Sequence, residues 1–420
     1  MKKLSAILLL FVFAVSLHAQ DAVTTLAGQA LVSGAANGTG TNALFSDPAA
    51  MVVDASGNFF LADSRNHAIR KITTNGVVTT FAGQLGVAGT ANGTGTAAQF
   101  DSPSGLAFDK SGNLYVSDTG NSTIRKITPS RVVSTFAGVA GTSGFLDGAT
   151  GSAQFNSPLG IAVAPNGTVY VADSGNHCIR AIAASSVSTF AGSAGNWGST
   201  NGTGTNAMFN GPVGLAFDSR TNLFVADANN DTLRKITPNR AVTTFAGAAG
   251  VDGSADGDVT VARFRSPAEL VFDQRGNLFV ADSFNQTVRK ISTNGTVSTV
   301  SGTAGLAGTS DGVNGAGKFF NPYGLAIGAD GTLFLTDAYN ELVRAVLLPF
   351  TLSMQMSGAT HAVTISWDAV IGKTYQVQFK SDLTAAWENL GATVTATNLS
   401  LSATDNAPGQ QRVYQVLVMP

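Results

Sequence analysis

The chain has 420 residues, with 24 Lys and Arg against 26 Asp and Glu, and charged residues make up only 12% of it. That share is about half of the usual one, and no basic stripe with interleaved aromatic residues is present, so we expect no nucleic-acid partner. The single cysteine, Cys178, excludes an intramolecular disulfide.

The first residues have the pattern of an export signal. Two lysines precede an apolar run from Ala6 to Val15, and a small-residue exit follows at Ala19. This pattern predicts a signal peptide over residues 1–19 with cleavage after Ala19. The apolar run is too short for a committed membrane span, so we expect an exported protein without one. A signal without disulfides is typical of bacteria, which places the protein in the periplasm or outside the cell.

A segment of about 55 residues then recurs six times, each copy beginning with Pro-x-Gly or a close variant. The anchor prolines are Pro48, Pro103, Pro158, Pro212, Pro267 and Pro322. Each copy holds four short runs of β-branched and aromatic residues separated by turn residues; in the second copy they are 106–108, 114–116, 124–127 and 132–136. Four strands, here lettered a to d, in a repeat of this length predict the blade of a β-propeller.

The sixth copy lacks its own strand d. Its third run continues directly into Leu347-Leu348-Pro349-Phe350, whereas the segment 23–28 near the N-terminus matches the fourth strand of another copy at 242–247. We therefore predict an all-β, six-bladed β-propeller over residues 20–347, closed by an N-terminal strand that completes blade six. Such closure removes two exposed sheet edges.

The repeat resembles a known family, the NHL repeat. The third copy carries the resemblance most clearly, in Gly160-Ile161-Ala162-Val163, Val169-Tyr170-Val171-Ala172-Asp173, Ser174-Gly175-Asn176-His177 and Ile179-Arg180. The resemblance covers roughly residues 22–347 and implies the propeller fold. It implies little about function, because propellers host many unrelated activities.

Residues 348–420 lose the repeat but keep β character, with alternating runs around Trp367, Tyr375 and Tyr414. They resemble a small immunoglobulin or fibronectin-like β-sandwich, in which Trp367 is the expected buried residue and the two tyrosines its aromatic partners. An attachment or glycan-binding module and a plain spacer are both open for this segment.

An acid and an arginine seven residues apart recur in every copy and flank the turn between strands b and c. The pairs are Asp63 and Arg70, Asp118 and Arg125, Asp173 and Arg180, Asp227 and Arg234, Asp282 and Arg289, and Asp337 and Arg344. Because every blade keeps them, we interpret them as hydrogen-bonded structural pairs that hold the turn, not as a ring of metal ligands.

Residues that vary between copies are free to serve a site. If strand a begins at Pro-x-Gly, the b to c turns and the long d to a loops share one face, where Glu269 replaces a glycine. The candidate ligand-binding residues there are Arg65, His67, His177, Asn229, Asp231, Glu269, Phe284, Gln286, Tyr323, Tyr339 and Glu341. We favour Arg65, Phe284, Tyr323 and Tyr339, because arginine and aromatic side chains dominate recognition; neutral drift of a surface is the alternative.

Metal chemistry has little support in the sequence. The resemblance includes metal-dependent lyases and lactonases, but past the signal only His67, His177 and His361 are available, and the first two lie two blades apart. Asp252, Asp256 and Asp258 form a weak calcium candidate, since Arg263 stands where a bidentate acid belongs. No cofactor and no catalytic residue are predicted.

We therefore expect a monomeric exported binding or scaffold protein that recognises a peptide, protein or glycan on the loop-rich face. The alternative is a metal-dependent hydrolase or lyase, lactonase-like or amidating-lyase-like, at the channel mouth. A purely structural surface protein is a third option.

Overall fold

The computed structural model describes residues 17–18, 22–313, 315–328, 330–348, 351–356, 362–369, 373–381, 384–406 and 413–418. The remaining residues include His361 and the export signal predicted over 1–19, which lies outside the described residues except for Leu17–His18. The chain divides into two compact units, Asp21–Leu347 and one that contains the described residues from Leu348 onward together with Leu17–His18.

The larger unit consists of six antiparallel sheets, each with five strands. The inner strands, a, are Pro48–Val53, Pro103–Phe108, Pro158–Val163, Pro212–Phe217, Pro267–Phe272 and Pro322–Ile327. Strands b are Phe59–Asp63, Leu114–Asp118, Val169–Asp173, Leu223–Asp227, Leu278–Asp282 and Leu333–Asp337. Strands c are Ala68–Ile72, Thr123–Ile127, Cys178–Ala183, Thr232–Ile236, Thr287–Ile291 and Leu342–Leu347. Strands d of blades one to five are Val77–Ala82, Val132–Ala137, Ser186–Ala191, Ala241–Gly247 and Thr296–Gly302.

Ala22–Ala27 is the strand d of blade six. It pairs with Leu342–Leu347, with Val23 opposite Val346 and Thr25 opposite Arg344. The predicted all-β, six-bladed propeller and its closure by the N-terminal strand are therefore confirmed.

Each blade has a fifth strand that the sequence pattern did not predict. These two-residue strands come from the long loops and pair with strand d at the outer edge; they are Gly38–Thr39, Gly93–Thr94, Gly148–Ala149, Gly202–Thr203, Gly257–Asp258 and Gly312–Val313. They are too short for hydrophobic alternation to show, which is why the pattern misses them. They leave only a very short edge strand exposed, which limits edge-to-edge pairing.

The hydrophobic core lies between neighbouring blades. Strand b is buried along its whole length, as in Phe59–Asp63, because each sheet is covered on both faces by its neighbours. Strand d, at the outside, alternates between buried and exposed residues, as in Val77–Ala82. One cluster joins blade six to blade one through Ala27, Val343 and Phe45, so packing as well as strand pairing closes the ring.

A buried arginine cluster repeats in every blade. In blade three, Arg180 lies 2.7 Å from Asp173, and both side chains have no exposed surface. Its guanidinium also lies over the ring of Phe155, 5.1 Å from the centroid, and 2.6 Å from Asp147. All six predicted Asp and Arg pairs form such contacts, at 2.5 to 2.9 Å.

The smaller unit has two small antiparallel sheets. The first contains Leu17–His18, Thr351–Met356, Val363–Asp368 and Ser400–Asp405, and the second contains Thr374–Lys380, Glu388–Asn389, Val394–Thr395 and Val413–Val418.

Both sheets contribute to one hydrophobic cluster. In it Trp367 is buried and its ring lies 5.9 Å from that of Tyr375, while the Tyr414 hydroxyl donates to Asp405. The likeness of this unit to immunoglobulin or fibronectin domains stays a prediction.

Candidate functional site

The b to c turns and the segments that precede strand a lie together on one face of the propeller, here called the loop face. Each turn is a short 3-10 helix, as in Ser64–Asn66, and it bonds directly to the segment before strand a of its own blade. The Arg65 N–H donates to the Ser46 carbonyl at 3.1 Å, and the Tyr339 N–H donates to the Phe320 carbonyl at 3.1 Å. The variable residues of the turns and of the Pro-x-Gly segments therefore share this face.

Five of the predicted ligand-binding residues instead link neighbouring blades. Each follows its 3-10 turn in the left-handed conformation, with φ between 53° and 61°. Each side chain accepts a hydrogen bond from a backbone N–H of the next blade: His67 from Ser102, His177 from Gly211, Asp231 from Ser266, Gln286 from Asn321, and Glu341 from Asp47.

These five residues therefore have a structural contact that the sequence analysis did not foresee, and their role in ligand binding stays a prediction. Their identity varies because the position requires only an acceptor atom, which imidazole, carboxylate and amide side chains all supply. The Glu341 bond to Asp47, at 2.7 Å, connects blade six to blade one. Burial lowers the pKa of His177 and raises the pKa of Glu341 and of Asp231.

The central residue of each 3-10 turn points into solvent, and these residues divide the ring in two. Blades two and three have Gly120 and Gly175, where a Cβ would fall within 3.0 Å of a neighbouring side chain. Blades four, five, six and one have Asn229, Phe284, Tyr339 and Arg65, all exposed. The side chains available to a ligand are thus concentrated on four consecutive blades.

The aromatic residues at the turns of these four blades are exposed. Tyr339 packs edge-to-face on Phe320, with ring centroids 5.1 Å apart, and it remains 48% exposed. Phe284 of the preceding blade is 49% exposed. On the following blade Arg65 lies 3.5 Å from Asp47, and burial raises the pKa of Asp47.

A central channel runs along the six strands a and contains a cavity of about 360 Å³, within the range of small-molecule sites. Its described lining residues come from 51–53, 106–108, 161–163, 215–217, 269–272 and 325–327, and Glu269 is the one charged residue among them. Burial raises the pKa of Glu269 to about 7.

Tyr323 lies at the loop-face end of this channel, at the variable position of Pro-x-Gly. Burial raises the pKa of its hydroxyl and the carboxylates of Glu269 and Asp47 raise that pKa further, whereas the Ser104 side chain lowers it. Ser104 belongs to blade two, so Tyr323 of blade six reaches past blade one, where the equivalent residue is the small Ala49. The structure therefore brings Glu269 and Tyr323 together at the channel mouth.

The calcium candidate does not converge. Asp256 lies 2.6 Å from Arg289, Asp252 lies 3.3 Å from Arg265, and Asp258 accepts bonds from Thr260. Among the described residues, no group of three or more His, Cys, Asp or Glu side chains is placed to hold a metal ion. In the same part of the chain, no helix is long and apolar enough to cross a bilayer.

Asp256 has a repeated structural role that the sequence analysis missed. It is one of six residues that each accept a hydrogen bond from the buried arginine of their blade and precede that arginine by 33 positions. They are Asn37, Asn92, Asp147, Asn201, Asp256 and Asp311. The buried phenylalanines beneath the arginines were missed as well: Phe45, Phe100, Phe155, Phe209, Phe264 and Phe319. Both sets follow the same period of 54 or 55 residues, so aligning the six copies along their full length would have found them.

The sequence analysis also did not single out Ser104 or Trp197. The proximity of Ser104 to Tyr323, two blades away, has no local sequence signal. Trp197 lies in the loop before blade four and is 70% exposed. Its separation from the repeated motif hid it, although an exposed tryptophan is unusual enough to single out.

The family model of the NHL repeat matches residues 100–127 and 155–182. In blades two and three these segments begin at the buried phenylalanine and end at Ile127 and Ile182, in the last part of strand c. NHL repeats are therefore present in this chain.

Two curated proteins are similar to this chain over more than half of its length. The chain is 29% identical over 342 residues to NHL repeat-containing protein 2 of Bos taurus, covering 71% of this chain and 46% of that protein. It is 28% identical over 276 residues to protein SUPPRESSOR OF QUENCHING 1, chloroplastic, of Arabidopsis thaliana, covering 61% of this chain and 26% of that one. The chain thus spans less than half the length of these relatives.

Solved structures with the same fold come from Bacteroides. A structural genomics protein of unknown function from Bacteroides thetaiotaomicron has a TM-score of 0.60 and 21% identity over 78% of this chain and 75% of its own. An auxiliary nutrient binding protein from the same organism has a TM-score of 0.60 and 13% identity, covering 78% and 77%. A second such protein, from Bacteroides ovatus, has a TM-score of 0.58 and 16% identity, covering 78% and 76%. At these identities the likeness establishes the propeller fold alone.

Proposed function

We propose that this protein is an exported binding protein whose ligand, a glycan or a peptide, contacts the loop face of blades five, six and one. The observation that carries the proposal is the exposed aromatic pair of Tyr339 and Phe320, with Phe284 on one side of it and Arg65 on the other. Aromatic and arginine side chains contribute most to recognition, because they offer large contact area with few rotatable bonds.

The uneven use of the ring supports this location. The fold uses the Asp and Arg pairs and the blade-linking acceptors in its own contacts, and at the turn centres of blades two and three a Cβ would meet the side chains of Asp101 and Asn156. It places no such requirement on Phe284 or Tyr339, whose side chains are about half exposed. Tyr339 and Phe320 form an exposed aromatic pair, and contiguous exposed apolar groups favour an interaction site.

Two of the proteins that share this fold are auxiliary nutrient binding proteins. Their low identity does not transfer a ligand, but their role is compatible with a binding propeller that acts outside the cell. The export pattern in residues 1–19 gives the same location, which we propose to be the periplasm or the cell surface.

The test is a search for ligands followed by a comparison of matched variants. Purified protein is screened on glycan and peptide arrays, and affinities for the hits are measured by calorimetry. We expect Tyr339→Ala or Phe284→Ala to lose about 30-fold in affinity, which corresponds to about 2 kcal/mol for a central anchor.

Asn75→Ala is the control, because Asn75 is exposed in the turn between strands c and d, at the opposite end of the strands from the loop face. All variants should keep the melting temperature of the parent. Equal affinities of Tyr339→Ala and Asn75→Ala, or a loss confined to Asn75→Ala, would place the ligand elsewhere.

A further inference from the structure

The central channel contains a carboxylate at a position where the fold favours glycine. In blades two, three, four and six this position is Gly105, Gly160, Gly214 and Gly324, where a Cβ would fall within 3.0 Å of a backbone carbonyl oxygen of the next blade. Blade one has Ala50 and blade five has Glu269. Packing therefore accounts for small residues at this position, and it gives no reason for a charged one.

Glu269 has no partner that would explain its charge as structural. Its one described hydrogen bond is a long contact of 3.5 Å from the N–H of Leu270, the next residue. No lysine or arginine forms an ion pair with it among the described residues, in contrast to the six aspartates of strand b, each of which lies beside an arginine. Glu269 is partly buried, and a charge without a partner is costly there, so a cationic group that enters the channel would gain from it.

The surroundings of Glu269 define what such a group would be. The other described lining residues are apolar, and they enclose a cavity of about 360 Å³. At the mouth the Glu269 and Asp47 carboxylates raise the pKa of the Tyr323 hydroxyl, and Arg65 lies exposed to solvent 3.5 Å from Asp47. Among the described lining residues the Glu269 carboxylate is thus the one charged side chain, and the side chains around it are apolar, a combination that favours an organic cation over an anion.

We infer that the channel binds a small organic cation, with a protonated amine against the Glu269 carboxylate and an apolar part among the side chains of strands a. The inference goes beyond the loop-face ligand and does not depend on it. The geometry that carries it is the single carboxylate among the apolar side chains described along the channel, at a position that the fold would fill with glycine.

The experiment compares two probes of similar shape, benzylammonium and benzyl alcohol, by calorimetry on the full chain at pH 8. We expect benzylammonium to bind at least tenfold more tightly. Glu269→Gln and Glu269→Ala should remove that preference, and both substitutions suit the fold, because glutamine has nearly the same shape and blade one already has alanine here. The control Asn75→Ala should keep it.

Lowering the pH to 5.5 should also reduce the preference in the parent, because Glu269 takes up a proton below about pH 7. Equal binding of the two probes by the parent, or a preference that persists in Glu269→Gln, would overturn the inference. Displacement of benzylammonium by an equal concentration of calcium chloride would overturn the assignment to an organic cation. If the parent binds both probes equally but Tyr339→Ala loses a loop-face ligand, the channel inference fails and the proposed function stands.

Discussion

The repeated ion pair offers a matched comparison between blades three and four. In blade four the Asp227 carboxylate accepts bonds from Arg234 at 2.9 Å, from Asn230 at 2.8 Å and from the N–H of Asn210 at 2.7 Å. Asp173 in blade three has the same three partners in Arg180, Asn176 and Asn156. Both carboxylates and both guanidinium groups are fully buried.

The two blades differ in the second partner of the arginine. In blade three Arg180 also lies 2.6 Å from the Asp147 carboxylate, whereas in blade four Arg234 bonds to the neutral amide of Asn201 at 2.9 Å. Without the strand b aspartate, the Arg180 guanidinium in blade three would therefore keep the Asp147 carboxylate as a partner. The Arg234 guanidinium in blade four would keep no carboxylate partner.

Breaking a buried ion pair by removing one partner costs about 3–5 kcal/mol, because the remaining charge is left uncompensated. We expect Asp227→Ala to lower the free energy of unfolding by about 4 kcal/mol, within that range. Asp173→Ala should cost about 1 kcal/mol less, since Asp147 is half exposed and its remaining attraction is partly screened.

The assay is equilibrium unfolding in urea with circular dichroism, supported by melting temperatures from calorimetry. Asp147→Asn gives blade three the arrangement of blade four. In that background Asp173→Ala should destabilise as much as Asp227→Ala does in the parent. The reasoning fails if Asp227→Ala is no more destabilising than Asp173→Ala, or if either variant melts at the parent temperature.

Three further predictions concern closure and pH. Deletion of residues 22–27 should lower the melting temperature and cause aggregation, because it exposes strand c of blade six as an edge; a monomer on size exclusion with an unchanged melting temperature would argue against closure by this strand. Stability should fall as pH rises from about 4.5 to about 7, because native Glu269 holds its proton more tightly than the unfolded chain does. Glu269→Gln should remove the part of this dependence that Glu269 contributes, about 3 kcal/mol, and equal pH profiles of the parent and the variant would contradict it. Burial lowers the pKa of His177, so the stability it contributes above pH 6.5 is lost as pH falls through the folded pKa. His177→Gln should abolish that loss of stability and keep the hydrogen bond to blade four, because Gln286 accepts the equivalent bond from Asn321. The same dependence of stability on pH in His177→Gln as in the parent would count against this prediction.

Much of the fold could be predicted because it follows from the repeat. A period of 55 residues, runs of β-branched residues and fixed turn residues act locally, so each copy reports its own strands. The match of 23–28 to 242–247 located the closing strand from sequence alone, because strand d has the same alternation wherever it stands in the chain. The two-residue strands, such as Gly38–Thr39, escaped because pairing with strand d defines them and no pattern of their own does.

The candidate site could be predicted only in part. Variation between copies correctly separated Phe284 and Tyr339 from the buried residues of each blade. It did not reveal the contacts that His67 and Gln286 make with the next blade, because several side chains supply the same acceptor and variation then conceals a structural role.

The sequence by itself determined the architecture, the ring closure and the residues that every blade must keep, since these depend on periodicity and on contacts repeated within each copy. Only the tertiary structure decided which variable residues meet. Glu269, Tyr323 and Ser104 lie on blades five, six and two, far apart in the chain, and they converge because strands a gather around one axis. A periodic sequence specifies each blade, whereas a site at the centre of the ring exists only once all six blades have closed around it.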